Sequence, residues 1–318
     1  MESIVIFGGS GFIGTHLSKA LLGQGEHVIV VDLQPPRFIH EYLDYIHGDV
    51  RDLSKLDINQ SINRIYNFAA IHTTPGHRSY EYYETNIAGA NQVCKFAEEN
   101  NVHEIIFTSS ISVYGPDEDK KDERTQLTPN SSYGYSKMLA EQIHKAWVDR
   151  NPGRILSIVR PAVVFGPGEG GNFTRLATML QKGFFVYPGR KDTIKACIYV
   201  DDLLFLINEA RNSSNRFELF NGAYPEMYTL EDIVMTFKRD HFNKVKVFTV
   251  PKFVVLGAAK FFQIFNVFNV GIHPDRVMKL IRSTNIYPSW LDDNNVRLPG
   301  NIESALKRWS QETDGKFN

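Results

Sequence analysis

The chain opens with an apolar run that passes through closely spaced glycines into a helical pattern. Ile4–Phe7 supplies four apolar residues in succession, and Gly8, Gly11 and Gly14 follow. A short apolar run predicts a buried strand, and apolar side chains that recur at helical spacing predict an amphipathic helix. The first 22 residues are therefore expected to form a strand, a tight turn and a helix. The helical positions are Phe12, Ile13, Leu17, Leu21 and Leu22.

The alternation of apolar runs and helical patterns continues through the first half of the chain. It is the pattern of a parallel sheet covered by helices on both faces, so the expected fold class is α/β with a doubly wound sheet. Strands are predicted at Ser3–Gly8, His27–Val31, Tyr45–His47, Arg64–Phe68, Glu104–Thr108 and Ile155–Arg160. Helices are predicted at Phe12–Leu22, Tyr83–Glu99, Tyr133–Arg150 and Phe173–Lys182.

The pattern changes after Val164. Phe165–Gly171 is a loop by composition, and Ile198–Asp202 is expected to lead from a strand into a helix. Phe217–Phe220 is expected to add one more strand to the main sheet. We therefore predict two domains. The domain of the main sheet spans residues 1–164 with 199–224 returning to it, and a smaller C-terminal α/β substrate domain is built from residues 165–198 and 225–318.

The stretch Phe253–Val270 is very apolar but carries polar side chains at regular intervals. Lys260, Gln263, Asn266 and Asn269 recur every three residues, which gives a narrow polar stripe on a helix. A membrane-spanning helix is not expected, because four polar side chains interrupt the run. A helix packed on the smaller domain is the main expectation, while an interfacial membrane helix and a subunit contact remain open.

Composition and charge exclude several classes of protein. The chain has 318 residues, 42% of them hydrophobic and 22% charged, which is typical of a globular protein with an ample core. Its formal net charge of −1 gives no general attraction to nucleic acid or to an anionic membrane. Two cysteines are too few for a disulfide framework and fit a reducing compartment. Because the first strand begins almost at Met1, we expect no signal peptide and a cytoplasmic location.

The glycines and an acidic residue one strand later form a candidate dinucleotide site. Glycine tolerates positive φ and lets the backbone approach a ligand closely. A helix that begins at the turn directs free N–H groups and its positive dipole end at the turn, which suits a pyrophosphate. Asp32 lies 18 residues after Gly14, near the spacing of a carboxylate that binds a ribose 2′-hydroxyl. These positions predict a Rossmann-type sheet with a dinucleotide at its carboxyl edge.

A tyrosine and a lysine four residues apart form a second candidate site. On a helix Tyr133 and Lys137 share a face, and a nearby cation is expected to lower the pKa of the phenol from about 10. A tyrosine of this kind exchanges a proton with a substrate hydroxyl or carbonyl, while Lys137 also suits a ribose. Tyr135 falls on a different face of the helix, so Tyr133 is the predicted acid–base group.

Serines follow the predicted strand Glu104–Thr108. Strand ends of this fold face the cofactor, so Ser110 is expected to hydrogen-bond the reacting oxygen beside Tyr133. Ser109 is expected only to cap the strand. The predicted catalytic set is therefore Ser110, Tyr133 and Lys137, and no metal ligand is expected.

Several motifs of this chain occur in a fixed order. They are Gly8-x-x-Gly11-x-x-Gly14, Asp32, Gly48–Val50, Asn67–Ala70, Ser110 ahead of Val113–Gly115, Tyr133-x-x-x-Lys137, Arg160–Pro161 and Phe165–Pro167. In this order they resemble the extended short-chain dehydrogenase/reductase family, and within it the NAD-dependent epimerase/dehydratase branch that acts on sugar nucleotides. The resemblance covers about residues 1–220. The tail, at Pro274–Arg276 and Ser283–Asn285, also resembles members that process hydroxysteroids, much less specifically.

The resemblance implies NAD as the cofactor and a position for each of its parts. The amides of Phe12 and Ile13 would bind pyrophosphate beside the glycines, and Asp32 would bind the adenosine ribose. Adenine would contact Asp49 and Val50, and the path to the nicotinamide would run along alanines after the fourth predicted strand. The full implied set is Gly8, Gly11, Phe12, Ile13, Gly14, Asp32, Asp49, Val50, Ala69, Ala70, Tyr133, Lys137 and Val163.

One departure from the family pattern narrows the expected reaction. Family 4,6-dehydratases carry an Asp-Glu pair directly after the active-site hydroxyl residue, whereas this chain has Ile111 and Ser112 there. Neither side chain acts as an acid or base at neutral pH, so a dehydratase is disfavoured. The expected function is a sugar-nucleotide epimerase, at C4, through a transient keto-sugar with Tyr133 as acid and base. A dehydrogenase or ketoreductase, on a keto-sugar nucleotide or on a hydroxysteroid-like alcohol, remains the alternative.

Charged residues also predict the ligands. Asp32 would repel a 2′-phosphate, so NAD is expected rather than NADP. Basic residues without obvious acidic partners, Arg175, Arg190, Lys195 and Arg276, suggest a substrate that carries a diphosphate. The expected substrate contacts are Ser112, Asn172, Arg190, Lys195 and Arg276. Asn86 matches a family asparagine, for which both catalysis and fixing of the backbone remain open.

The resemblance also implies a homodimer that pairs through two helices of each subunit. The predicted helices Tyr83–Glu99 and Tyr133–Arg150 carry apolar or small residues on more than one side. A helix packed only on its own sheet needs one apolar stripe, so a second stripe favours another partner. The residues in question are Ile87, Ala90, Asn91, Val93, Cys94, Ala97, Met138, Leu139, Gln142, Ile143, Ala146 and Trp147.

Overall fold

The structure, a computed structural model, describes residues 2–73, 76–251 and 282–318. Their strands are β1 (Ser3–Phe7), β2 (His27–Asp32), β3 (Leu43–His47), β4 (Ile62–Asn67), β5 (Glu104–Thr108), β6 (Asp117–Lys121), β7 (Ile155–Pro161), β8 (Val163–Phe165), β9 (Phe184–Pro188), β10 (Cys197–Tyr199), β11 (Phe217–Gly222), β12 (Lys246–Val250) and β13 (Thr284–Ile286). Their helices are α1 (Phe12–Gly23), α2 (Ser79–Glu99), α3 (Ser132–Asp149), α4 (Asn172–Gln181), α5 (Val200–Arg211), α6 (Leu230–Asp240), α7 (Ser289–Asp293) and α8 (Ile302–Glu312).

A parallel sheet of seven strands organises the described part of the chain. Its order is β3-β2-β1-β4-β5-β7-β11, so the chain changes direction across the sheet between β1 and β4. In open sheets of this kind ligands bind at the carboxyl ends of the strands, beside such a reversal. The order confirms the doubly wound Rossmann-type sheet predicted from the sequence.

Helices cover both faces of the sheet, and β1 shows why. Its side chains alternate between the faces because successive residues of a strand point in opposite directions. Ile4 and Ile6 enter a cluster with α1 and α5, whereas Val5 and Phe7 enter a cluster with α2 and α3. Both clusters are fully apolar beneath β1, which explains the unbroken apolar run in the sequence.

Most predicted elements of the first half are confirmed within a few residues. The strand expected at Phe217–Phe220 is confirmed as β11, which pairs with β7 in the main sheet. The sequence did not predict the two-stranded parallel pairs β8–β10, β9–β12 and β6–β13. The residues of β6 are charged and mostly exposed, so no apolar period marked it as a strand. The division of the chain into two domains stays a prediction.

The apolar stretch 253–270 and the motif Pro274–Arg276 lie outside the described residues. Within the described ranges, no helix is long and apolar enough to cross a membrane.

Candidate functional site

The turn between β1 and α1 is built from backbone in close contact. Gly8 has φ of +79°, and a Cβ there would lie 2.5 Å from the amide nitrogen of Ala69. A Cβ on Gly14 would lie 2.5 Å from the carbonyl oxygen of Gly8. Glycine is therefore required at both positions, the first by conformation and contact and the second by contact alone. These contacts set the start of α1 directly against the ends of β1 and β4.

The N-terminus of α1 leaves its amides available to a ligand. Gly11 is the N-cap residue, and because glycine has no side chain it cannot accept a hydrogen bond from the amides of the first turn. The first turn also lacks an acidic side chain, so its positive end is not neutralised locally. Phe12 and Ile13 are its first residues, as the predicted pyrophosphate contact requires. The turn fits the pyrophosphate of a dinucleotide.

Asp32 ends β2 beside this turn, and its carboxylate is held by two loops. One oxygen accepts the backbone N–H of Ser10 at 3.0 Å, and the other accepts that of Gln34 at 3.1 Å. The Ser10 hydroxyl donates to the Gln34 carbonyl at 2.6 Å. The carboxylate is thus fixed beside the glycine turn, which it also braces; its contact with the ribose stays a prediction.

The other predicted cofactor residues lie at the same edge of the sheet. Ala69 and Ala70 follow β4, and Val163 begins β8, where its N–H donates to the Ala196 carbonyl at 3.2 Å. The side chain of Val50 is buried over Gly89, where a Cβ would lie 2.9 Å from a Val50 methyl group.

Asp49, which the resemblance assigns to adenine, carries an ion pair that the sequence did not predict. Arg51 Nε donates to both oxygens of the Asp49 carboxylate, at 3.0 and 2.9 Å. The hydrogen bonds and charge of Arg51 hold the pKa of Asp49 below its usual value. This carboxylate is therefore already partnered on the cofactor side of the sheet.

The predicted catalytic residues are brought together where α3 begins. The Ser110 side chain approaches the phenol of Tyr133, whose pKa it lowers, and Ser110 also caps a 3₁₀ turn (Ile111–Val113) by accepting the N–H of Ser112 at 3.1 Å. Gly134 permits this approach, since a Cβ there would lie 2.5 Å from the Ser112 carbonyl oxygen. Tyr135 is 44% exposed on another side of the helix, as its spacing predicted.

The electrostatics of this pair differ from the sequence-based expectation. Burial raises the pKa of Tyr133 to about 12, although its hydrogen bond with Ser110 acts in the opposite direction. Burial likewise lowers the pKa of Lys137 to about 7, opposed by the negative charge of Glu141. The expected lowering of the Tyr133 pKa is therefore wrong for this structure, because loss of hydration outweighs the influence of Ser110.

The sequence analysis missed the residues beneath Lys137. Glu141 lies four residues and His144 seven residues after Lys137 on α3, and both are fully buried against the sheet. The Ser109 hydroxyl donates to Glu141 at 2.6 Å. Ser109 therefore links the end of β5 to α3, and the expectation that it only caps the strand is wrong. The sequence did carry a signal for Glu141 and His144, because residues four and seven positions after Lys137 lie on the same face of a helix.

Asn86, on α2, fixes backbone. Its side-chain oxygen accepts the N–H of Ile71 at 3.0 Å, and its amide donates to the Ser136 hydroxyl at 2.9 Å. Ser136 in turn donates to the Tyr133 carbonyl at 2.8 Å. Of the two roles left open from the sequence, these contacts favour the structural one.

The predicted substrate residues are dispersed, and one premise about them fails. Ser112 lies beside Ser110, with 3.2 Å between the hydroxyl oxygens, and Asn172 is the exposed first residue of α4. Arg190 pairs with Asp192 at 2.7 Å and with Glu118 at 3.1 Å, so the expectation that it lacks acidic partners is wrong.

Two further basic residues complete the predicted set. Lys195 Nζ donates to the Arg282 carbonyl at 2.6 Å, and its pKa is lowered to about 8 by burial, with Glu118 raising it and Arg190 lowering it further. Arg276 lies outside the described residues. Arg175, which joined the same argument, is exposed on α4.

Known proteins are similar to this chain in sequence and in fold. The NAD dependent epimerase/dehydratase family matches residues 4–218. An N-acetyl-alpha-D-glucosaminyl-diphospho-ditrans,octacis-undecaprenol 4-epimerase of Escherichia coli O157:H7 is 31% identical over 253 residues, which are 79% of this chain and 76% of that protein. The crystal structure of a UDP-glucuronic acid 4-epimerase from Bacillus cereus in complex with NAD has a TM-score of 0.67 and 25% identity, over 79% of this chain and 88% of that one.

The similarity in fold extends over almost the whole chain. A UDP-N-acetylglucosamine 4-epimerase from Methanobrevibacter ruminantium M1, in complex with UDP-N-acetylmuramic acid, has a TM-score of 0.76 at 20% identity and covers 99% of this chain and 98% of its own. The matches confirm the resemblance and the fold predicted from the ordered motifs. They also confirm NAD as the cofactor and an NAD-dependent epimerase as the class of enzyme.

Proposed function

The chain belongs to the NAD-dependent epimerase/dehydratase family, and on this premise we propose that it epimerises a sugar nucleotide at C4. One observation carries the proposal. Ser110 and Tyr133, whose side chains interact, lie at the same carboxyl edge of the sheet as the glycine turn and Asp32. A proton-transfer group and a dinucleotide site thus share one edge of the sheet, as reversible oxidation of an alcohol requires.

The roles of the chain's own residues follow from this geometry. Tyr133 takes the proton of the sugar hydroxyl and later returns it, and Ser110 holds the phenol in place and donates to the same oxygen. Ser110 opposes the burial that raises the pKa of Tyr133, and Lys137 binds the nicotinamide ribose. When bound, NAD would supply a reversible acceptor for the hydride of the sugar carbon. The remaining predicted cofactor residues hold the dinucleotide in the positions assigned above.

The 3₁₀ turn beside Tyr133 argues against elimination chemistry. Ile111 and Ser112 occupy the positions where the dehydratases of the family carry their acidic pair. The described turn Ile111–Val113 therefore contains no carboxylate that could act as an acid or a base. Epimerisation needs only the reversible proton transfer that Tyr133 and Ser110 provide.

Incubation with a panel of sugar nucleotides tests the proposal. An epimerase should retain NAD through purification, need none added, and convert each accepted sugar without a net change in the absorbance of reduced nicotinamide. Identification of the product by nuclear magnetic resonance then shows which carbon is inverted. Net consumption of NADH or NADPH would instead establish the ketoreductase alternative.

We further propose that the substrate's sugar is attached to a diphosphate. As its name states, the Escherichia coli relative acts on a sugar joined by a diphosphate to undecaprenol, and the Methanobrevibacter neighbour acts on a UDP-linked sugar. Both substrates share the diphosphate. In this chain Lys195 lies near Arg190, which is also paired with Asp192 and Glu118, and lysine and arginine suit phosphate oxygens. Ser112, Asn172 and Arg276 complete the proposed substrate contacts.

The substitution Lys195→Met tests whether the Lys195 cation binds the substrate or is only a surface charge. We expect a higher KM for the sugar nucleotide with less effect on kcat. Lys191→Met, which removes a neighbouring lysine paired with Glu231 at 3.1 Å, is the matched control and should leave KM unchanged. Parallel assays with a UDP-sugar and a polyprenyl-diphosphate sugar then identify the carrier. Equal KM in both lysine variants would remove Lys195 from the site.

We also propose that the protein is a homodimer built on α2 and α3. The two helices pack against each other, and their outer faces expose Asn91, Leu139, Gln142 and Ala146. Ala90, in contrast, is 1% exposed in the core, so a charge there would disturb folding rather than pairing. Two such helices from each subunit form a four-helix interface with twofold symmetry.

Light scattering at micromolar concentration tests the dimer. Leu139→Asp should halve the mass, whereas Met179→Asp should not, although both side chains are 40% exposed. A wild-type mass equal to one chain would contradict the proposal.

We also propose the two-domain division that was predicted from the sequence. We propose a cytoplasmic location as well, which the free cysteines Cys94 and Cys197 support.

A further inference from the structure

The face of α3 that meets the sheet carries titratable groups where an apolar stripe is expected. Lys137, Glu141 and His144 are 2%, 0% and 0% exposed. A buried charge is unfavourable unless it is paired and hydrogen-bonded, so such a stripe needs specific partners. Groups of this kind cluster at functional sites, and this stripe begins at Tyr133.

Glu141 has the strongest set of partners in the stripe. Its two carboxylate oxygens accept from Arg160 Nε at 2.8 Å and Nη2 at 2.7 Å, in a bidentate pair, and one of them also accepts the Ser109 hydroxyl. Arg160 is itself 2% exposed on β7, and its Nη1 donates to the Tyr114 hydroxyl at 2.8 Å. Ser109 directly follows β5. Glu141 therefore fastens α3 to the ends of two strands, one turn after Lys137.

The groups around Lys137 come from several elements. Its amine lies 4.5 Å from the centre of the Phe107 ring on β5. The imidazole of His144 stacks on the same ring, with 4.1 Å between the ring centres. Burial lowers the pKa of His144 to about 4, so this imidazole is neutral at neutral pH. His72 also faces Lys137. The pKa of His72 is lowered by burial and by the positive charge of Lys137. Among the described residues Glu141 is the anion that raises the pKa of Lys137, and Lys145 Nζ also lies 4.0 Å from the Glu141 carboxylate.

We propose that Glu141 is a positioning residue for the reaction, which clamps α3 to β5 and β7 and keeps Lys137 a cation beside Tyr133. The inference rests on the proposed function, since Tyr133 and Lys137 act there. Glu141 touches neither substrate nor cofactor in this role. Its negative charge opposes the desolvation that removes the proton from Lys137, and its bond to Arg160 fixes the helix that carries both residues.

Glu141→Gln removes the charge and keeps the shape. In NAD-loaded enzyme prepared with isotope-labelled lysine, nuclear magnetic resonance follows the titration of Lys137, which Lys137→Met assigns. The pKa of Lys137 should lie lower in Glu141→Gln than in the wild type. Each unit of that fall reduces the cationic fraction at alkaline pH about tenfold, so kcat should fall at lower pH than in the wild type. KM for the sugar nucleotide should stay unchanged.

Two further variants separate this role from a structural one. Glu104→Gln removes a carboxylate from another arginine pair, with Arg211 at 2.8 Å, at the opposite end of β5. It should leave the lysine titration and the pH profile of kcat unchanged. Glu141→Asp keeps the charge and should restore part of the wild-type pH profile. If Glu141→Gln does not fold because Arg160 is left unpaired, Glu141→Gln with Arg160→Met removes both charges and replaces it.

The outcomes are distinct for the inference and for the proposed function. An equal loss of kcat at every pH, with an unshifted Lys137 titration, would overturn the positioning role. Wild-type enzyme that converts no sugar nucleotide would overturn the proposed function instead. In that case the lysine titration alone still decides whether Glu141 controls the charge of Lys137.

Discussion

Two helices begin at the carboxyl edge of the same sheet and meet it in opposite ways. The face of α1 that lies on the sheet carries Leu17 and Leu21, both in the apolar core. The corresponding face of α3 carries Lys137 and Glu141, which are equally buried. The first helix presents backbone amides to the carboxyl edge of the sheet, whereas the second presents the titratable side chains to which the proposed function assigns proton transfer.

The difference reflects what each half of the site has to do. A pyrophosphate can be held by amides and a helix dipole, so the helix behind them is free to pack as an ordinary core element. Proton transfer needs titratable groups at fixed positions, and those groups must be buried to exclude water. Their burial opposes their charged forms, which the shifted pKa values of Tyr133 and Lys137 show. In the proposed function the α1 side supplies binding amides and the α3 side supplies proton transfer.

The largest expected effect lies on the α3 side. Tyr133→Phe should lower kcat about a hundredfold to ten-thousandfold, because it removes the acid–base group. NAD binding should remain nearly intact, since α1 and Asp32 are untouched. Tyr135→Phe changes an exposed tyrosine of the same helix and should have far less effect on kcat. Steady-state kinetics and NAD titration of both variants test this, and equal losses would contradict the assignment.

On the α1 side the charge of Asp32 should decide the choice of dinucleotide. A carboxylate in contact with a 2′-phosphate costs about 1–4 kcal/mol, so the wild type should bind NAD more tightly than NADP. Asp32→Asn should narrow the ratio of the two dissociation constants. Asp44→Asn, on the neighbouring strand β3, is the control for the same chemical change and should not alter the ratio. A wild-type preference for NADP would refute the prediction.

A smaller effect should follow from filling the contact between α1 and the turn. Gly14→Ala places a Cβ 2.5 Å from the Gly8 carbonyl oxygen, and overpacking of this kind costs about 1–3 kcal/mol. Thermal unfolding and NAD affinity should both decline. Gly23→Ala on the same helix meets no atom within 4 Å and should be neutral or stabilising by about 0.5–1 kcal/mol. Identical behaviour of the two variants would mean that contact does not govern this turn.

The two sides also differ in how far the sequence could predict them. The α1 side follows local rules: apolar runs, glycine spacing and an acid at a strand end each report on their own neighbourhood, and the fold class, β1, α1 and β5 emerged nearly residue by residue. Tyr133, Lys137 and Ser110 were predicted because short motifs carry them, and their catalytic role stays a prediction. The interaction of Ser110 with Tyr133 is what the structure adds.

What the sequence could not predict depends on contacts between distant residues. Glu141 meets Arg160 across 19 positions, and Arg190 meets Glu118 across the fold, so neither pair leaves a local period. The direction of the Tyr133 pKa shift depends on how deeply α3 packs, which spacing does not encode. The strand β6 pairs with β13, far along the chain, and its charged residues resemble a loop.

The smallest predicted effect concerns stability and sharpens the contrast between the helices. Lys137→Met replaces a 2% exposed amine by a side chain of similar length that suits the core, so it should abolish turnover yet stabilise the fold by about 1–2 kcal/mol. The pKa of Lys137 is lowered from its ordinary 10.5 to about 7, so between these values the unfolded chain binds more protons than the folded one. The wild type therefore gains stability relative to the variant as pH rises through this range. The advantage of Lys137→Met should be largest at about pH 6 and smaller at about pH 9, measured by urea unfolding. Lys95→Met, on an exposed position of α2, should stay within about 0.5 kcal/mol of the wild type at both values. A destabilised Lys137→Met variant at the lower pH would show that the buried lysine supports the fold as well as the chemistry, and the division between the two helices would not hold.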